Sequence, residues 1–115
     1  MIKIDIMEVA SYYNLEALKR VWKDSWVLKS VDIKYDTKGF PEEEEPETWP
    51  FKATFMEEQD EIVVRIYSLA VGYGGTGPRN LIEILDWLNV KYHEDDIITK
   101  KRMDNDGWIR LNYPM

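Results

Sequence analysis

At 115 residues, with 44% apolar and 32% charged side chains, the chain is long enough for one hydrophobic core and too short for two independent ones. It has no cysteine, which excludes a disulfide framework and a thiolate metal site and fits a reducing, cytoplasmic-type compartment. The formal charge of −7 is spread over both halves, and the one dense basic run, Lys100, Lys101 and Arg102, alternates faces on an expected strand and makes no stripe, so a nucleic-acid partner is not expected and an acidic field of this kind steers basic partners instead.

Residues 2–6 alternate Ile2, Ile4 and Ile6 with Lys3 and Asp5, the period of a short strand. The same alternation rules out the apolar core of a secretory signal, and no later run approaches the roughly 18 apolar residues that span a bilayer. Asn14 stands where a helix N-cap is expected, and Leu15, Leu18, Val21 and Trp22 make the apolar stripe of a helix running to about Asp24. Residues 27–36 alternate again, with Val31, Ile33 and Tyr35 against Asp32, Lys34 and Asp36, and Thr37, Lys38 and Gly39 follow as a turn.

The next stretch, Phe40, Pro41, Glu42, Glu43, Glu44, Glu45, Pro46 and Glu47, suits neither a sheet ladder nor an amphipathic helix. It reads as an exposed acidic loop over about residues 40–50, extended by like-charge repulsion. Residues 51–55 and 61–71 predict a hairpin turning at Glu57, Glu58, Gln59 and Asp60. A glycine-rich turn follows, and then a helix from Pro78 to about Asn89 carrying Leu81, Ile84, Leu85 and Leu88 on one face. Residues 97–103 and 108–113 predict a last hairpin around Asp104, Asn105, Asp106 and Gly107. The whole is expected to be α+β, a single domain with a mostly antiparallel sheet of about five to six strands and two helices packed on one face.

Gly72, Gly74 and Gly77 match G-x-G-x-x-G between a predicted strand and a predicted helix, with Asp95 and Asp96 about 20 residues on. Backbone amides at such a turn can hold an anion. A two-half dinucleotide fold does not fit in the chain that remains, and no Lys-Ser or Lys-Thr follows the glycines as a phosphate loop requires. Two readings stay open. Gly72, Tyr73, Gly74, Gly75, Thr76 and Gly77, with Arg79 as charge partner, could bind a small anionic or nucleotide-like ligand. Alternatively, the glycines serve only to turn a strand sharply into a helix.

The other constellations dissolve on inspection. His93, Glu94, Asp95 and Asp96 are adjacent and point in different directions, with no second histidine in the chain. Asp104 to Gly107 fails as a calcium loop, since Arg102 and Tyr113 would occupy its first and last ligand positions. None of Ser11, Ser25, Ser30 and Ser68 lies in a nucleophile elbow. No catalytic residue, metal or cofactor is therefore assigned. The expectation is a small acidic binding module of the inhibitor, immunity or accessory type that docks on and modulates another macromolecule. Its partner would be a protein, with a basic surface as the natural complement, and a homo-oligomer is a further possibility. Glu42, Glu43, Glu44, Glu45 and Trp49 are the candidate contact residues, with Trp49 as anchor or, on the contrary, tucked back onto the sheet.

Overall fold

A computed structural model of the protein describes residues 1–8, 10–34, 44–69, 76–98 and 108–112, of which 96, 98 and 108–112 are described by their backbone alone. Four strands carry the core: β1 (Ile2–Ile6), β2 (Val27–Lys34), β3 (Phe51–Glu57) and β4 (Asp60–Ile66). β5 (Trp108–Asn112) lies outside β2, giving the spatial order β1-β4-β3-β2-β5. The α+β class is as expected. The core sheet has fewer than the five to six strands expected and is mixed, because β1 runs parallel to β4 while the other neighbours are antiparallel.

Register sorts the side chains into two faces. Ile4 and Ile6 on β1, Ile62, Val64 and Ile66 on β4, Phe51, Ala53 and Phe55 on β3, and Val31 and Ile33 on β2 fall in line and join one core cluster. β3 has a neighbour on both sides, and its three inward residues are fully buried. Each Phe contributes about 1.5–3 kcal/mol by leaving water. Two longer helices, α1 (Asn14–Val21) and α2 (Thr76–Trp87), close this face with Leu18, Leu81, Ile84 and Leu85.

α1 is shorter than its apolar stripe predicts. Trp22 leaves the helix with φ −62° and ψ 140° and stacks edge-on against Phe55, Trp26 and Trp87 at 5.0–5.5 Å between ring centres. Asn14 is not a side-chain cap either: Tyr13 precedes the helix and no side chain caps it. Asn14 is fully buried, and its amide donates to the backbone oxygen and Oγ of Ser68, both at 3.1 Å, tying α1 to the chain beyond β4.

The β3–β4 turn falls at Glu58 and Gln59 as expected, with Glu58 taking φ 55° where a glycine would sit more easily. β4 ends at Ile66, well short of the predicted residue 71. The predicted strand from residue 97 is corrected: Glu94–Ile98 form a short helix, α3, whose Ile97 is fully buried in the core. The remainder of that strand and its turn lie outside the described residues.

Candidate functional site

The acidic segment is described from Glu44 onward; Glu42 and Glu43 lie outside the described residues. Pro46–Thr48 form one tight helical turn, with proline at its start where a missing N–H costs nothing. Thr48 closes the turn by donating its N–H and its hydroxyl to the Glu45 carbonyl at 2.8 and 2.7 Å, and Trp49 N–H donates to the Pro46 carbonyl at 3.1 Å. Trp49 is only 1% exposed, edge-on to Tyr67 at 5.5 Å, and Pro50 beside it is buried. Of its two readings, Trp49 takes the tucked-back one and acts as an internal pin, because burying the indole against Tyr67 removes more apolar surface from water than a loop tip offers. Glu44, Glu45 and Glu47 remain exposed on the pinned turn.

Of the glycine-rich turn, Gly72, Tyr73, Gly74 and Gly75 lie outside the described residues. α2 starts at Thr76, two residues before the proline predicted to open it. Thr76 is exposed, Gly77 and Pro78 are buried, and Arg79 is exposed. Asn80, one residue on, is buried and donates from Nδ2 to Ser11 Oγ at 2.7 Å, fastening the first turn of α2 to the segment before α1. The described part of the turn thus offers a helix start and one exposed guanidinium.

The second face of the sheet carries a pattern that the sequence does not display without the register. Asp5, Arg65, Lys52 and Asp32 are neighbours in turn across β1, β4, β3 and β2, one charged row over four strands, and position 110 on β5 stands in register with Asp32. Arg65 grips Asp5 with two parallel hydrogen bonds, Nε to Oδ1 at 2.7 Å and Nη2 to Oδ2 at 3.0 Å, the planar fork that suits a carboxylate. Lys52 Nζ lies 3.5 Å from Asp32 Oδ2. Pro46 and Glu47 fold against the same face, and between them and the strands lies a recess of about 280 Å³ lined by Lys3, Lys52, Thr54, Glu61, Val63 and Arg65.

The recess mixes both signs of charge. Among the described residues, no three His, Asp or Glu side chains converge as a metal ion would require. His93 is exposed beyond the end of α2. No helix among the described residues is long and apolar enough to cross a membrane. No family model, curated protein or solved structure matches the chain.

Proposed function

We propose that the protein is a non-catalytic binding module that docks through its acidic segment on a basic surface of another protein and modulates it. One observation supports this reading above the others: the described part of the segment, residues 44–50, is held. Its carboxylates Glu44, Glu45 and Glu47 project from a turn closed by Thr48 and pinned by the buried Trp49 and Pro50. Carboxylates on a held turn lose less conformational freedom on binding than the same charges on a free coil. Together with the net charge of −7 they set up a field that accelerates encounter with a cationic surface.

The test starts from tagged protein used to recover its partner from the source cell. Association with the purified partner is then followed for the wild type and for the combined Glu44→Gln, Glu45→Gln, Glu47→Gln variant. At low salt the variant is expected to associate about tenfold more slowly, with the gap shrinking as ionic strength shortens the reach of the charges. Equal association rates at low salt would remove the acidic segment from the interface.

A further inference from the structure

β1 is an edge strand with a self-complementary sequence. One side of it lies on β4, and among the described residues no strand pairs with the other. Tyr67 N–H donates to the Ile6 carbonyl at 3.0 Å, continuing the parallel ladder. Backbone groups alternate sides along a strand, so those of Ile2, Ile4 and Ile6 face β4 and those of Lys3 and Asp5 face outward. Three of the large apolar side chains left in water gather here: Ile2 is 49% exposed, with Met1 and Met7 just beyond the ends of the strand.

We propose that two copies of this chain pair edge to edge through β1, antiparallel, about a two-fold axis at Ile4. The outward amides and carbonyls of Lys3 and Asp5 permit three two-fold registers. An axis at Lys3 sets Lys3 against itself, and an axis at Asp5 sets Asp5 against itself; both place like charges directly opposite, which destabilises a strand pair. An axis at Ile4 sets Lys3 opposite Asp5 of the second copy, twice. Those are the residues whose backbone groups face outward, so each pair exchanges both of its hydrogen bonds.

The side chains agree with the backbone. Asp5 is already gripped by Arg65, and Lys3 makes no ion pair among the described residues. Lys3 of the second copy would extend that charged row across the seam as Arg65, Asp5, Lys3. On the helix face, Ile4 meets Ile4, and the exposed Ile2 meets Ile6 of the second copy. Ile2 would there border a recess of about 300 Å³ between β1 and α1, lined in part by Ile4, Ile6, Ala17 and Val21. The same lysine and aspartate oppose slipped registers, so the edge is guarded against indiscriminate pairing and open to one partner. This inference stands on β1 alone, so it and the reading of the acidic segment fail separately.

Sedimentation of the full chain over a range of concentrations should show a species of twice 13.7 kDa. Lys3→Glu and Asp5→Lys should each raise the dissociation constant about tenfold or more, because each places like charges opposite at both ends of the pair. Mixing the two variants should restore dimers. The two substituted side chains then face each other with opposite charge at one end of the pair, and the native Asp5 of one copy faces the native Lys3 of the other at the opposite end. Asp5→Lys also removes the partner of Arg65, so a second arm avoids that ion pair. The chain has no cysteine, and Ile4→Cys should cross-link to its own copy on mild oxidation, at the roughly 4.5 Å Cα separation of a non-hydrogen-bonded pair. Ile2→Cys, displaced from its counterpart by four residues or about 13 Å, should not. A monomer at every concentration overturns the proposal. So does a dimer in which neither mixing restores association nor Ile4→Cys cross-links.

Discussion

The Tyr92 hydroxyl donates to Asp86 Oδ1 at 2.9 Å and so fastens the segment after α2 back onto that helix. Burial of the phenol, and then the Asp86 carboxylate that accepts its proton, push its pKa from 10 up to about 12. The folded protein therefore holds this proton more tightly than the unfolded chain. The resulting stabilisation is complete below pH 10 and is lost as pH rises from 10 through about 12. Urea midpoints for the wild type and Tyr92→Phe should differ by a constant amount up to about pH 9.5 and converge above pH 10. A gap unchanged at pH 11 would assign the difference to packing instead. Partners of this kind are hard to read from a sequence. Asn14 has the right type for a cap and spends its amide on Ser68, 54 positions away. Trp49 follows a run of carboxylates and is claimed by Tyr67. In each case the residue type is visible in the sequence, but the group that competes for it comes from elsewhere in the chain.

At the scale of elements, α2 was the most legible, because Leu81, Ile84 and Leu85 recur at helical spacing and all three are fully buried. Its end is equally well determined. Asn89 adopts φ 59°, its N–H donates to the Asp86 carbonyl at 3.0 Å, and Val90 N–H reaches the Leu85 carbonyl at 2.9 Å. That pair of bonds, with a left-handed residue between them, is the Schellman arrangement, and the buried Val90 supplies its apolar contact. Asn89→Ala should cost about 1 kcal/mol, since a Cβ without a local polar partner is disfavoured at positive φ. Asn89→Gly should match or slightly exceed the wild type. Equal midpoints for the alanine and glycine variants in urea would show that the left-handed cap contributes nothing. The region after α2 was the least legible. Ile97, Ile98 and Thr99 have the β-branched bias of a strand, but Glu94 and Asp95 suit the start of a helix, and burial of Ile97 decides for α3. The charged row on the open face could be found only after the register was known, since its members come from four separate stretches of chain.

At the scale of the whole molecule, the sheet joins one very local pairing to one very distant one. β3 and β4 meet across a two-residue turn, from Glu57 opposite Asp60 to Phe51 opposite Ile66. β1 meets β4 at a separation of 60 positions, Ile2 beside Ile62 through Ile6 beside Ile66. Alternation identifies β1 as a strand but carries no information on which neighbour it takes or in which direction, so the parallel pairing was not legible. Closing a loop of that length costs about 1.5 kcal/mol more than closing one of roughly ten residues. The hairpin should therefore form early and β1 should dock late. Ile62→Val and Ile6→Val each remove one methylene group from a buried site, at about 1 kcal/mol. Stopped-flow tryptophan fluorescence in urea should show Ile62→Val acting mainly on the folding rate, with φ above about 0.5. Ile6→Val should act mainly on the unfolding rate, with φ below about 0.3. The reverse pattern would mean that the distant parallel pair nucleates the fold. Because β1 is also the strand assigned to self-association, the measurement belongs at concentrations where sedimentation shows the monomer. Repeating it on the dimer should slow the unfolding of Ile6→Val more than its folding, since pairing at the edge stabilises β1 after the transition state has passed.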